Sequence, residues 1–155
     1  LETGRPLGLK PCGLGARDSL RFEARMPLYG HEVNADTNPF EAGLGWAVAL
    51  DAPGKEQMIG REALRTIKAE GLKRRLVGFE MLDRGIPRHG YEIAVNGQVV
   101  GHVTSGMYAP TLQKNIGLGY VPTAHATRGS ELQIIIRGKY LKAVVVPTPF
   151  YKRSQ

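Results

Sequence analysis

Apolar residues recur along this chain with two different periods, and the change falls near residue 72. In Ile59-Gly60-Arg61-Glu62-Ala63-Leu64-Arg65-Thr66-Ile67-Lys68-Ala69-Glu70-Gly71, the residues Ala63, Leu64 and Ile67 fall on one stripe, with Glu and Lys on the other face. That spacing predicts an amphipathic helix, and Gly71 suits its C-terminal stop. Beyond the basic cluster Lys73-Arg74-Arg75, short apolar runs divided by turn residues take over. Leu76 to Leu82 reads as β. Tyr91 to Val95 meets Asn96-Gly97, the strongest short hairpin signal, before Gln98 to Thr104 returns. Ile116 to Val121, Glu131 to Arg137 and Tyr140 to Val146 follow, the last two joined by Gly138-Lys139. Strands this short and this evenly spaced predict a small barrel or sandwich.

Residues 1–58 carry a weaker pattern. Leu20, Phe22 and Ala24 alternate with Arg21, Glu23 and Arg25, which favours a strand. The preceding Gly15-Ala16-Arg17-Asp18-Ser19 equally suits the opening of a helix, with Asp18 or Ser19 as N-cap. Thr37-Asn38-Pro39 is a turn or cap, and the apolar run Leu44 to Leu50 is expected to be buried. No long-period repeat and no low-complexity segment is present.

Composition narrows the class. At 155 residues, with 42% hydrophobic and 23% charged, the chain can bury a core and is neither disordered nor fibrous. No apolar run approaches the roughly 18–20 residues that a membrane-spanning helix needs. The opening Leu1-Glu2-Thr3-Gly4-Arg5 lacks an initiator Met and any signal-peptide pattern, so the chain is expected to begin inside a longer one. The lone Cys12 excludes an intrachain disulfide and a multi-cysteine zinc site, which points to a reducing compartment. Charge is unevenly placed: residues 1–71 hold nine Lys and Arg against ten Asp and Glu, whereas residues 72–155 hold twelve against four. The second half therefore attracts anions.

Candidate chemistry is sparse. His31, His89, His102 and His125 are dispersed, with no pair at helical spacing, and read as ordinary surface or hydrogen-bonded histidines rather than metal ligands. Gly13-Leu14-Gly15-Ala16-Arg17-Asp18 is glycine-rich but has neither the third Gly nor the Gly-Lys-Ser/Thr ending of a phosphate loop. Its useful feature is Arg17, a permanently charged fork suited to a carboxylate or carbonyl, unless it merely pairs with Asp18 or Glu23. Five of the six tyrosines lie in the basic half, but Tyr91, Tyr120 and Tyr140 stand at strand ends, where packing explains them better than base stacking.

The block Pro11-Cys12-Gly13-Leu14-Gly15-Ala16-Arg17-Asp18-Ser19-Leu20-Arg21-Phe22-Glu23-Ala24 resembles the glycine cleavage T-proteins, a family of aminomethyltransferases. The likeness continues through Leu28-Tyr29-Gly30-His31-Glu32, Asn38-Pro39-Phe40-Glu41-Ala42-Gly43-Leu44-Gly45-Trp46 and Ile59-Gly60-Arg61-Glu62-Ala63-Leu64. It then takes in Arg84-Gly85-Ile86-Pro87-Arg88, Gly101-His102-Val103-Thr104-Ser105-Gly106, Pro110-Thr111-Leu112-Gln113-Lys114-Asn115-Ile116-Gly117 and Thr148-Pro149-Phe150-Tyr151-Lys152. These blocks stand in family order over nearly the whole chain, which is similar to the C-terminal portion of a bacterial T-protein.

The resemblance implies a fold that is mainly β with some α (α+β). A C-terminal small antiparallel β-barrel, residues 72–155, would be preceded by the tail of an α/β folate-binding domain, residues 1–71. It implies transfer of a one-carbon unit from the aminomethyl-lipoyl arm of the H-protein to tetrahydrofolate, with release of ammonia, in the bacterial cytoplasm. By motif match the folate-contacting arginine is Arg17. The family's catalytic aspartate and pterin-holding glutamate lie upstream of this block, so no catalytic residue and no metal ligand is expected here, and the chain alone is expected to be inactive. The expected partners are lipoylated H-protein and tetrahydrofolate, not nucleic acid or membrane. Two other readings remain: the folate domain of a dimethylglycine or sarcosine oxidizing enzyme, and a basic nucleic-acid-binding β-domain, which a salt-dependent mobility shift would reveal.

Overall fold

Wherever the apolar pattern alternates, the chain forms strands. The computed structural model describes residues 1–153 and contains β1 (Arg74–Met81), β2 (Glu92–Val95), β3 (Gln98–Ala109), β4 (Lys114–Pro122), β5 (Glu131–Ile136) and β6 (Lys139–Val146). All neighbours are antiparallel, and the order β1-β4-β3-β2-β5-β6 closes on itself through β1 and β6 into a barrel. Closure leaves no unpaired sheet edge. The β2–β3 hairpin turns at Asn96 (φ 51°) and Gly97 (φ 78°), the left-handed pair expected of these residues.

Alternation sorts the strand residues into two cores. Val77, Phe79 and Met81 of β1 point into the barrel with Ile93, Val103, Val121, Leu132, Ile134, Ala143 and Val145. Gly117 of β4 faces the same interior, and a Cβ there would collide with the Phe79 ring, so glycine makes room for the largest barrel side chain. The opposite faces of β1 and β4 carry Leu76, Ile116, Leu118 and Tyr120, which form a second core with Ala109 and with Phe22 from the first segment. β4 is thus buried on both faces, which a free-standing barrel strand would not be.

Phe22 comes from helix α1 (Leu14–Glu23). The ambiguous stretch is therefore helical, and it begins before Asp18 and Ser19, with Gly13 at the N-cap and no capping side chain. Its inward face is Phe22 and Glu23, both buried, and Phe22 also meets Phe150 with ring centroids 5.6 Å apart. Helix α2 (Arg61–Glu70) ends at Gly71 as expected, but it buries none of its residues; Leu64 and Ile67 are only half-buried. The run Leu44 to Leu50 departs from expectation. It folds as a short 3-10 turn, so its side chains fan outward: Trp46 is 86% exposed and only Leu50 is buried. Among the described residues no helix is long and apolar enough to cross a membrane.

Three buried glutamates fasten the first segment to the barrel. Glu23 Oε1 accepts from the Thr111 N–H at 3.0 Å. Glu32, with no exposed surface, accepts from Thr104 Oγ1 at 2.8 Å, and its backbone carbonyl accepts from the Tyr120 hydroxyl at 2.8 Å. Glu41 accepts both forks of Arg74 at 2.9 and 3.1 Å and the Asn38 N–H at 2.9 Å. The Arg74 guanidinium in turn lies 4.7 Å over the Tyr120 ring, and burial pushes that phenol up to about 12. Burial alone would raise the Glu41 carboxyl, but the hydrogen bonds from Arg74 and Asn38 and the Arg74 charge outweigh it and hold the group below its ordinary range.

A carboxyl lowered in the folded state stabilises above its unfolded value of about 4.3, and that contribution is lost as pH falls through the lower folded value. Denaturant titrations between pH 7 and pH 3 should therefore show stability declining below about pH 4.5. Glu41→Gln should start about 2 kcal/mol lower at neutral pH, where the charged hydrogen bonds are lost, and decline less steeply. A parallel decline in both proteins would show that Glu41 is not the linked group.

Candidate functional site

The first segment and the barrel meet along a groove of about 440 Å³. Its walls are Leu14, Gly15, Arg17, Asp18 and Arg21 of α1, the turn residues Leu28 and His31, the β1–β2 loop residues Arg88 and His89, and Ser105 and Gly106 of β3. The groove exists because Glu32 holds its two sides together. Arg21 Nη1 donates to Glu32 Oε2 at 2.8 Å from the helix side, the Leu28 N–H donates to the same oxygen at 2.9 Å, and Thr104 Oγ1 reaches Oε1 from the barrel. Arg21 is fully engaged: Nε donates to Asp18 Oδ1 at 2.8 Å and Nη2 to Ser105 Oγ at 3.1 Å.

Thr104 sits where the β3–β4 register slips between Val103 and Ser105, a β-bulge. A bulge frees one residue from the ladder and bends the strand, a common device beside functional sites. Here it turns the Thr104 carbonyl toward the groove, where His31 Nδ1 and His89 Nδ1 stand 3.0 and 2.6 Å away. The two imidazoles face each other with centroids 4.3 Å apart and planes tilted by 39°. The neighbouring Gly106 is needed for close approach: a Cβ there would meet the Pro87 carbonyl oxygen at 2.7 Å, displacing the loop that carries Arg88 and His89.

Arg17 lies on the exposed side of α1 at the groove's edge. The pairings open to it in sequence are not made. Asp18 is spent on Arg21 and Glu23 on the Thr111 N–H, and among the described residues neither Arg17 nor Arg88 has an ion-pair partner. Three guanidinium groups and two imidazoles thus line the groove against a single carboxylate, Asp18, which is already paired with Arg21, so that among the described residues the forks of Arg17 and Arg88 are left over. The arrangement suits an anion with more than one carboxylate. Sequence reasoning singled out Arg17 alone; Arg88, His31 and His89 join it in the groove only in the folded structure. The histidines carry no spacing signal, because one strand bulge and one turn bring them together from distant parts of the chain.

A second cavity of about 220 Å³ lies on the other side of the 26–32 segment and is mainly apolar, with Met26, Leu44, Trp46, Leu76 and Leu118 among its walls. Arg25 forms part of its floor, in the left-handed region at φ 58°, with its buried Nε unpartnered. Desolvation lowers this guanidinium from its ordinary value. Of the basic residues near the barrel, Arg74 is committed to Glu41, whereas Lys73, Arg75, Arg84, Arg88, Lys139 and Lys142 are exposed. Cys12 is exposed and unpaired, and among the described residues no three His, Cys, Asp or Glu side chains converge as metal ligands.

Comparison with known proteins gives a consistent answer. A family model described as "Glycine cleavage T-protein C-terminal barrel domain" matches residues 74–152, and one described as "GCVT N-terminal domain" matches residues 1–52. The aminomethyltransferase of Symbiobacterium thermophilum is 60% identical over 152 residues, which is 98% of this chain and 40% of that protein. The aminomethyltransferase of Caldanaerobacter subterraneus is 54% identical over 154 residues, again 40% of its length. The crystal structure of glycine cleavage system aminomethyltransferase T from Bartonella henselae superposes with a TM-score of 0.84 at 37% identity, covering 90% of this chain and 39% of that one. The chain therefore spans about two-fifths of the length of the relatives it matches.

The two α1 arginines should respond differently to truncation. Arg21→Ala strands the buried Glu32 carboxylate and should cost about 3–5 kcal/mol, the usual penalty for breaking a buried pair. Arg17→Ala touches no partner and should change stability by less than about 0.5 kcal/mol. Urea denaturation of both variants checks this, and an equal cost would mean that Arg17 is structural.

Proposed function

This chain belongs to the glycine cleavage T-protein family, and from that membership we propose that it is the folate-side portion of an aminomethyltransferase. The observation that carries the reading is the groove in which Arg17, unpaired among the described residues, stands beside Arg88 and the two imidazoles. Tetrahydrofolate ends in carboxylates, and an unpaired guanidinium fork is the group best suited to hold one. In this reading the protein passes a one-carbon unit from aminomethyl-lipoyl H-protein to tetrahydrofolate with release of ammonia. The catalytic carboxylate would come from the part of the protein upstream of this chain, and residues 1–71 and 72–155 would belong to successive domains. The exposed Lys73, Arg75, Arg84, Lys139 and Lys142 would steer an acidic H-protein toward the site. What supports the reading is family membership together with the pairing pattern of α1.

Calorimetry on the full-length protein tests the role of Arg17. Arg17→Ala should weaken tetrahydrofolate by about 1.5–3 kcal/mol, the range of a lost charged hydrogen bond. Arg17→Lys should recover only part of that, since it keeps the charge and removes the fork. Unchanged affinity in both would remove Arg17 from the site.

The assignment of catalysis to the upstream part has its own check. Given aminomethyl-loaded H-protein and tetrahydrofolate, the 155-residue chain should release no ammonia above background. Turnover matching the full-length protein would place the catalytic groups within this chain.

A further inference from the structure

We propose that the groove takes up its dicarboxylate together with a proton, which the facing imidazoles of His31 and His89 accept. The inference rests on reading this groove as the anionic end of the folate site, and it concerns how the anion is held there.

Both Nδ1 atoms contact one oxygen, the Thr104 carbonyl, at 3.0 and 2.6 Å. A carbonyl oxygen only accepts, so these contacts are satisfied when each neutral ring carries its hydrogen on Nδ1; His31 Nδ1 lies in addition 3.4 Å from the Ser105 hydroxyl. Each Nε2 then holds a bare lone pair on the ring edge away from that carbonyl, in rings that line the groove. A lone pair repels a carboxylate, whereas a protonated Nε2 donates to it. Two positive rings with centroids 4.3 Å apart would repel each other, so the pair takes one proton, drawn from solvent, and the incoming anion neutralises it.

The surrounding charges leave this role to the pair. From α1, Arg17 and Arg21 are permanently cationic and Asp18 is held by Arg21. From the turn, Glu32 is saturated by Arg21, the Leu28 N–H and Thr104. From the β1–β2 loop, Arg88 is cationic and unpaired among the described residues. From β3, His102 lies near His89, and burial, the Arg74 charge and His89 itself hold it below its ordinary range. Of the side-chain types gathered here, imidazole is the one suited to exchanging a proton near neutrality. The fixed guanidinium forks supply attraction at any pH, and the imidazole pair adds a further donor only when proton and anion arrive together.

The test is calorimetric titration of the protein with N-(4-aminobenzoyl)-L-glutamate, the dicarboxylate end of folate, in buffers of different ionisation enthalpy. The expected result is buffer-dependent heat that corresponds to net uptake of up to one proton, and affinity that rises by up to about tenfold per pH unit as pH falls from about 7.5 to 6. His31→Gln and His89→Gln should reduce both the uptake and the pH slope, whereas Arg17→Ala should weaken binding and leave the proton count unchanged. Should either histidine variant misfold, imidazole nitrogen chemical shifts of the unsubstituted protein, recorded with and without the probe, report the same protonation. Binding without proton uptake would overturn the imidazole role while leaving the groove as an anion site. Failure of the probe to bind would instead remove the groove reading, and this inference with it.

Discussion

The Glu32 carboxylate is the most deeply buried of the three that join the two halves of the structure. It is wholly buried, and it is compensated from both sides: by Arg21 and the Leu28 N–H within the first segment, and by the Thr104 hydroxyl within the barrel. An ion pair out of water contributes little net stability unless its remaining lone pairs are satisfied, but removing one partner is costly. Here the lone pairs are satisfied only when helix, turn and strand occupy one arrangement. The pair therefore acts mainly as a specificity device, fixing where α1 lies on the barrel. The apolar contact of Phe22 with Leu76, Ile116, Leu118 and Tyr120 supplies the non-directional burial beneath it.

This division of labour among the α1 side chains determines what the groove can do. Arg21 and Arg17 lie one helical turn apart and differ in everything but type. Arg21 is consumed by Asp18, Glu32 and Ser105, so it shapes the wall without offering free donors. Arg17 projects exposed from the next turn with no ion-pair partner among the described residues, which leaves its fork available. The bulge at Thr104 does for the barrel side what the helix does for the other. It frees one carbonyl, which orients two imidazoles, and it frees one hydroxyl, which grips Glu32. A strand without the bulge would spend the carbonyl in the ladder or turn the hydroxyl to the opposite face.

Family membership and geometry bear on different levels of the conclusion. Similarity across the whole chain places it among the T-proteins, while the matched relatives are two and a half times its length or so. The local chemistry must therefore be argued from the residues present. Those residues leave two guanidinium forks unpaired in the groove and, among the described residues, contribute no unpaired carboxylate to it. On the proposed reading this portion would hold the acidic tail of a folate, and the catalytic carboxylate would come from another portion.

Much of the barrel was legible in the sequence because its determinants are local. Period-two alternation, Asn96-Gly97 and the flanking turn residues specify each strand within a few residues, and all six strands lie where the pattern puts them, with β3 extending further. The helix Arg61–Glu70 and its Gly71 stop were equally readable. The family blocks singled out Arg17 for the same reason, since a motif is a contiguous string. Tertiary structure decided the rest. Leu20 to Ala24 alternates like a strand and yet is helical, because Phe22 and Glu23 reach partners on β4 and beyond β3 that lie far along the chain. Trp46 sits in an apolar run and yet is exposed, since a 3-10 turn has no single face to bury. The pairing of His31 with His89 and the contrast between Arg17 and Arg21 depend on one strand bulge and one buried carboxylate. Each arises from contacts across the whole fold, and no local pattern records them.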